Sequence, residues 1–149
     1  MHGENKKKAS GLRVVLDTNV YISAFNYPKG TLFPIWQHAR FRTYELFLSP
    51  AIANEIGRVL RDDFAWDDSR IRSQLKELSR VGEIATVTVA PNVIKYDPMD
   101  NQILGCASAS KAHMIVSGDR DLLRLKEYEG IRIVSPIDFL HTLAGYPMK

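Results

Sequence analysis

The fold is decided by the stretch Arg13-Val14-Val15-Leu16-Asp17-Thr18-Asn19-Val20. Residues 13–16 form a short β-branched and apolar run, which is typical of a strand. Asp17 ends this run, and residues 20–25 can continue as a helix with Thr18 or Asn19 near its cap. A strand that passes into a helix at a carboxylate predicts the first unit of an α/β fold.

Short strands and helices alternate along the rest of the chain. We predict strands at residues 13–16, 46–48, 85–89, 114–116 and 131–134. We predict helices at residues 20–25, 31–40, 50–61, 67–81, 98–111, 121–125 and 136–143. This alternation favours a central parallel sheet covered by helices, an α/β sandwich.

Length and composition are those of one ordinary domain. The chain has 149 residues, of which 45% are hydrophobic and 25% charged, a normal globular balance. We expect a domain over residues 13–143, a flexible basic tail at 1–12 and a C-terminal tail at 144–149. Nothing at the start looks like a secretory signal, and no apolar run approaches the roughly 18 residues that a membrane span needs. The single cysteine, Cys106, excludes an internal disulfide and is expected to be a buried, inert thiol. Together these features favour the cytoplasm and no membrane partner.

Two carboxylates occupy helix positions where the periodicity favours apolar residues. Glu55 lies in one stripe and Asp100 in another. The first stripe contains Ile52, Ile56, Val59 and Leu60, and the second contains Ile103, Leu104 and Ala107. A buried carboxylate costs several kcal/mol unless it is paired or metal-bound. Alternatively, Asp100 is a first-turn acid favoured by the helix dipole, and Glu55 lays its stem across the edge of the stripe with its carboxylate in water.

Two further acids follow predicted strands. Asp17 comes directly after residues 14–16, and Asp119 follows residues 114–118. The carboxyl ends of parallel strands meet at one edge of a sheet, where ligands bind. Each acid taken singly is better explained as a helix cap. Convergence of all four acids predicts an all-oxygen site for Mg²⁺ or Mn²⁺, suited to attack of an activated water on a phosphodiester.

The remaining charge favours a polyanionic partner. There are 17 acidic and 20 basic residues, so 17 − 4 leaves 13 acidic against 20 basic ones. The binding of a nucleic acid to such a surface should weaken with salt. The candidate phosphate contacts are Arg40, Arg42, Arg58, Arg61, Arg120 and Arg124, although each of them taken singly is better explained as part of a solvated helix face.

Four motifs resemble those of PIN-domain proteins, in the order of that family. They are VLDTNV at 15–20, SPAIANEI at 49–56, DPMDNQIL at 97–104 and VSGDRDLL at 116–123. The resemblance extends over about residues 13–143 and is greatest to bacterial and archaeal PIN ribonuclease toxins of toxin–antitoxin systems. It implies a Rossmann-like three-layer α/β/α fold and a magnesium-dependent ribonuclease. It also implies an RNA substrate, a homodimer and a small antitoxin made alongside.

The resemblance assigns roles to six residues. It implies that Asp17, Asp100 and Asp119 are the main metal ligands. It implies that Glu55 completes the catalytic site directly or through water, and that Asn19 and Ser117 hold the carboxylates by hydrogen bonds. Ser117 stands where threonine is commoner in the family. Asp97 competes with Asp100, which we prefer because it shares the inward helix face; Asp121 competes with Asp119, which is nearer the strand end, and is kept as a helper.

Two other functions fit parts of the pattern. An aspartate-nucleophile phosphatase also has an aspartate after a strand, but it needs a second acid two residues later, where this chain has Asn19. A non-catalytic RNA- or protein-binding module on the same scaffold would be expected to lose one or more of the acids.

Overall fold

A computed structural model describes residues 11–94 and 97–145, which form six strands and seven helices. The strands are β1 Arg13–Leu16, β2 Glu45–Leu48, β3 Glu83–Ile84, β4 Met114–Val116, β5 Glu127–Tyr128 and β6 Ile131–Val134. The helices are α1 Thr18–Asn26, α2 Phe33–Arg40, α3 Pro50–Phe64, α4 Asp68–Val81, α5 Pro98–Ser110, α6 Arg120–Leu125 and α7 Pro136–Leu143.

The six strands form one sheet in the order β3-β2-β1-β4-β6-β5. All pairs are parallel except β5 with β6. Helices flank the sheet, so the predicted three-layer α/β/α sandwich is confirmed. The chain leaves β1 towards β2 on one side, whereas β4 lies on the other, so the strand order reverses between β1 and β4. A crevice at the carboxyl ends of the strands is expected at such a point.

The core explains why the central strands are uniformly apolar. Residues 14–16 and 115–116 are at most 1% exposed, because helices cover both faces of a parallel sheet. Helix α5 lies against β1, β2 and β4, and its buried side includes Ile103, Leu104 and Ala107. Cys106 is buried and free on the same helix, as predicted, and burial raises the pKa of its thiol to about 12.

The third strand lies at Glu83–Ile84 and not at the predicted residues 85–89. It pairs with β2 until Leu48, whose carbonyl accepts a hydrogen bond from Ala85 N at 2.8 Å. After Leu48 the neighbouring chain turns into α3 at Pro50, so no strand partner is left for residues 86–89. The apolar alternation in this segment is therefore only partly matched by burial, since Ala85 is buried whereas Val89 is 84% exposed.

A two-residue strand, β5, was not predicted. Its pairing with β6 closes a hairpin through Glu129 and Gly130, which have φ values of 52° and 79°. Positive φ at both central residues is the geometry of a tight hairpin turn, and it suits a glycine at the second position.

The expected basic tail at 1–12 and the C-terminal tail at 144–149 lie mostly outside the described residues, so the domain limits stay a prediction. None of the helices in the described part of the chain is both long and apolar enough to cross a membrane.

Candidate metal centre

The pairing of β1 with β4 places Asp17 beside Ser117. Leu16 is in register with Val116, and Asp17 N donates to the carbonyl of Val116 at 2.9 Å. The fully buried Ser117 hydroxyl donates to Asp17 Oδ2 at 2.7 Å. The same hydroxyl oxygen accepts a hydrogen bond from Asp119 N at 2.9 Å. Ser117 thus links the two strand-end acids.

Asp119 caps helix α6. Its Oδ1 accepts hydrogen bonds from the backbone N–H groups of Asp121 and Leu122, at 2.7 and 3.2 Å. An aspartate is favoured at this position because it satisfies backbone donors that lack a partner in the helix. The cap fixes the carboxylate at the carboxyl end of β4.

Asp97 caps helix α5 in the same way. Its Oδ1 accepts from Met99 N at 3.0 Å and from Asp100 N at 3.2 Å, and Pro98 occupies the first turn, where a missing N–H costs nothing. Asp100 follows in that first turn and faces inward, with only 4% of its surface exposed.

The caps bring three carboxylates together. Asp97, Asp100 and Asp119 each offer one oxygen, and these oxygens lie within 4.8 Å of one another. Asp100 Oδ2 is buried and has no hydrogen-bond partner among the described residues. A buried polar atom without a partner is costly, and several carboxylate oxygens around it suit a hard divalent cation. The residues present therefore fit Mg²⁺ or Mn²⁺.

The electrostatics of the cluster point the same way. Burial raises the pKa of Asp100 to about 7, with further contributions from the charges of the aspartates at 97, 119, 17 and 121. Burial also raises the pKa of Asp17, although hydrogen bonds from Ser117 and from the backbone of Thr18 partly oppose this. Asp17 therefore belongs to the same electrostatic group. Ionised carboxylates this close repel one another, and a shared cation would offset that repulsion.

Glu55 is placed differently from its predicted core-facing position. Its side chain is 26% exposed, and its carboxylate forms two hydrogen bonds of 2.9 Å with the Arg58 guanidinium. The hydrogen bond from Arg58 is the main reason why the pKa of Glu55 is lowered. Glu55 is not among the charges that act on Asp17 or Asp100. It lies at the edge of the apolar stripe, because Ile52 and Ile56 fill the buried positions and Arg58 holds the carboxylate outside.

Two further predicted residues face solvent. Asn19 is exposed, and within residues 11–94 and 97–145 its side chain forms no hydrogen bond with a carboxylate, because Thr18, Tyr21 and Ile22 occupy the buried side of α1. Asp121 is exposed and forms an ion pair of 3.4 Å with Arg124. Its backbone N–H, and not its carboxylate, connects it to Asp119.

Sequence reasoning set Asp97 aside and gave Asn101 no role. Asn101 is 6% exposed. Its Oδ1 accepts from Val93 N and Ile94 N at 2.9 and 2.8 Å. Its Nδ2 donates to the carbonyls of Ile94 at 2.7 Å and Asp97 at 3.4 Å. Two features of the sequence could have identified these residues. Asp97 stands directly before a proline, which marks a helix cap, and Asn101 places an amide in the first turn of a mostly apolar helix.

Comparison with known proteins decides the family. A family model described as a PIN domain matches residues 13–121. The chain belongs to the PIN domain family. The match includes Asp17, Asp97, Asp100, Asp119 and Asp121.

This PIN domain is also similar to individual proteins. An uncharacterized protein of Methanocaldococcus jannaschii, MJ1680, is 32% identical over 125 residues, which are 78% of this chain and 76% of the relative. Three solved structures share the fold. VapBC2 from Rickettsia felis, bound to a DNA fragment from its promoter, has a TM-score of 0.60 and 14% identity, covering 83% of this chain and 98% of the other. PAE2754 from Pyrobaculum aerophilum has a TM-score of 0.59 and 18% identity, with coverages of 91% and 92%. The PIN domain endonuclease Utp24 has a TM-score of 0.53 and 20% identity, with coverages of 84% and 85%.

Most of the arginines proposed as phosphate contacts already have partners in this PIN domain. Arg40 and Arg61 form ion pairs with Glu77 and Asp68. Arg42 donates to backbone carbonyls at residues 80 and 81. Arg58 and Arg124 are paired as described above. Arg120, the first residue of α6, is exposed and forms neither an ion pair nor a hydrogen bond through its side chain with the described residues.

Proposed function

We propose that this PIN-domain protein is an endoribonuclease that depends on Mg²⁺ or Mn²⁺ and hydrolyses phosphodiester bonds. The observation that carries the proposal is the buried, unpartnered Oδ2 of Asp100, beside the carboxylates of Asp97 and Asp119. Family membership supports a nuclease-type function, since its members are generally nucleases that use divalent metals.

The site residues act by holding a cation and orienting a phosphate. Asp17, Asp100 and Asp119 are the proposed main ligands. Glu55, which Arg58 holds at the edge of the apolar stripe, is proposed to act on the site only through water. When bound, a divalent cation makes a coordinated water more acidic and stabilises negative charge on phosphate oxygens. Ser117 fixes the orientation of Asp17 by its hydrogen bond of 2.7 Å, as groups around a metal ligand commonly do. Helices α1 and α5 begin at this edge, and their N-termini favour an anionic group.

The aspartates can be tested by isosteric substitution. We expect Asp17→Asn and Asp100→Asn to abolish RNA cleavage in the presence of Mg²⁺ or Mn²⁺, because each removes an ionised ligand and keeps the side-chain shape. Cleavage of total RNA, with mapping of the new ends, is the measurement. Asp63→Asn, at an exposed position near the end of α3, is the matched control. Undiminished cleavage by both site variants would rule out this mechanism.

The choice of RNA over DNA can be tested with matched substrates. We expect the wild type to cleave single-stranded RNA and to leave DNA of the same sequence intact. A non-catalytic module would cleave neither, and calorimetry would then show no binding of Mn²⁺ even with RNA present. Accumulation of phosphoryl-aspartate at Asp17 would revive the phosphatase alternative, which family membership disfavours.

We further propose that the protein is the toxin of a toxin–antitoxin pair and acts as a cytoplasmic homodimer. The likeness in fold to VapBC2 of Rickettsia felis supports the toxin role, whereas the homodimer and the cytoplasmic location follow only from the resemblance of the sequence motifs to PIN toxins. A short adjacent reading frame whose product co-purifies with this chain and relieves its growth inhibition is the expected result. Growth that is unaffected by expression of the chain alone would contradict the toxin role and leave the nuclease proposal standing.

A further inference from the structure

One oxygen of the Asp97 carboxylate caps helix α5, and the other oxygen is available to a ligand. Its Oδ1 accepts both hydrogen bonds of the α5 cap. Its Oδ2 accepts none from the described residues. Asp119 has the same arrangement at the start of α6, with Oδ1 in the cap. Two helix caps therefore present carboxylates to the same space, and the side chain of Asp100 lies in it.

The tightest acidic group differs from the set that the sequence motifs assign. Asp97, Asp100 and Asp119 are the residues whose oxygens lie within 4.8 Å of one another. Asp17 is engaged by Ser117 through Oδ2 and acts on the group through its charge. The unpartnered Oδ2 of Asp100, on a residue that is 96% buried, is an independent observation that something polar belongs in this space.

We propose that Asp97 is a further ligand of the divalent cation bound by Asp100 and Asp119, and that Asn101 is the residue that positions it. This inference rests on the proposed metal-dependent function and names an additional member of the same site.

Asn101 provides the rigidity that a ligand on a loop needs. Its amide satisfies all four of its hydrogen-bonding positions with the backbone on the N-terminal side of α5. One of these bonds, at 3.4 Å, goes to the carbonyl of Asp97 itself. Metal sites need ligands held close to their productive geometry, and Asn101 anchors Asp97 on the first turn of a helix that is packed against β1, β2 and β4.

The competing explanation is that Asp97 is only a helix cap. A comparison of two caps separates the roles, because Asp67 caps α4 with a 2.7 Å bond from Arg70 N and lies outside the acidic group. Asparagine caps helices about as well as aspartate. Asp97→Asn and Asp67→Asn thus keep a capping oxygen and remove one charge, and only the first removes a proposed ligand.

The test is a titration of the metal-free protein with MnCl₂. Binding is measured by calorimetry and by the electron paramagnetic resonance signal of free Mn²⁺. We expect Asp97→Asn to weaken Mn²⁺ binding about ten-fold or more, the size of effect found even for groups that only support a ligand. Asp67→Asn should bind as the wild type does, and thermal unfolding should show both variants folded.

Different failures have different meanings. If Asp100→Asn loses Mn²⁺ and Asp97→Asn binds it with wild-type affinity, Asp97 is only a cap and this inference is overturned, while the proposed function stands. If the wild type does not bind Mn²⁺, metal dependence is overturned together with this inference.

Asn101 is tested by a double-mutant cycle. We expect Asn101→Ala to weaken Mn²⁺ binding in the wild type and to add little in the Asp97→Asn background, because residues that act through one another are not additive. Fully additive losses of affinity would show that Asn101 does not act through Asp97.

Discussion

At Asp100, burial and four neighbouring carboxylates together oppose ionisation and raise its pKa to about 7 from an ordinary value of 3.8. Between these two pH values the folded protein binds more protons than the unfolded chain. The free energy of unfolding of the metal-free protein should therefore fall as pH rises from about 4 to about 7. The contribution of Asp100 to the free energy of unfolding is fully present below about pH 4 and is lost as the carboxyl group ionises in the folded protein.

Asp100→Asn should remove the loss of stability that accompanies ionisation of Asp100, because asparagine carries no charge. One pKa unit corresponds to about 1.4 kcal/mol, and 1 kcal/mol shifts the Tm of a domain of this size by roughly 2–4 °C. We expect the metal-free variant to have a Tm at least about 4 °C above that of the wild type at pH 8, and a smaller difference at pH 4. Calorimetric melts in EDTA measure this. Asp138→Asn, which changes a first-turn aspartate of α7, is the control, and an equal rise in that variant would contradict the explanation.

Ser117 is the residue on which the orientation of Asp17 depends. Ser117→Ala removes the hydroxyl that donates to Asp17 and accepts from Asp119 N. We expect RNA cleavage to fall about 10- to 100-fold, as for groups that orient a metal ligand. Ser117→Thr, which keeps the hydroxyl, should retain most activity. Equal losses in the two variants would indicate that packing at this buried position matters, and not the hydrogen bond.

The sequence predicted part of this site because some of the signals are local. Asp17 and Asp119 follow apolar strands, and Asp100 lies on an apolar helix face, so periodicity alone marks them. Asp97 resembles an ordinary cap, and its proximity to Asp119 depends on where α5 and α6 begin in the folded domain, which no local pattern encodes. Glu55 was assigned from periodicity to a core-facing position, yet Arg58, three residues later on the same helix, holds its carboxylate at the edge.

Among the secondary-structure elements, the larger difference between prediction and structure concerns the chain after β3, beside the unpredicted two-residue strand β5. Alternation at residues 85–89 predicted a strand, but β2 ends at Leu48 and leaves no partner. Val87 instead packs against α5, so closely that a Cβ at Gly105 would lie 2.9 Å from Val87 Cγ1 and 3.1 Å from Pro91 Cδ. All the helices were predicted, because their periodic apolar faces and caps are local; the partners of a short edge strand are not.

Two glycines within helices test this packing. Alanine in place of a helical glycine stabilises by about 1 kcal/mol where space allows. Space exists at Gly57 in α3, where a Cβ would make ordinary contacts of 3.5 Å with Ile71 and Leu75, but not at Gly105 in α5. We expect Gly57→Ala to raise the urea midpoint and Gly105→Ala to lower it. A gain for Gly105→Ala would mean that residues 87–91 move away from α5 at little cost.

The proposed cation site joins distant parts of the chain. Asp17 follows β1, Asp97 and Asp100 open α5, and Asp119 lies between β4 and α6. Unfolding separates these ligands, so a cation that needs all of them binds only the folded state. Cation binding should then stabilise the domain as a unit.

This linkage makes the last prediction quantitative. At a free Mn²⁺ concentration 100 times the Kd, binding to the folded state alone adds about 2.7 kcal/mol, or roughly 5–10 °C in the Tm of a domain of this size. We expect this rise for the wild type at pH 8, where the acids are ionised, and a much smaller rise at pH 5, where Asp100 is protonated. Asp100→Asn should melt at nearly the same temperature in Mn²⁺ and in EDTA, because it lacks a proposed ligand for the cation. The rise in Tm that it gains from reduced repulsion is present in both conditions. Equal Tm values for the wild type in Mn²⁺ and EDTA at pH 8 would mean that the four carboxylates do not share a cation. Unfolding separates these carboxylates, so any cation that they share must stabilise the folded state.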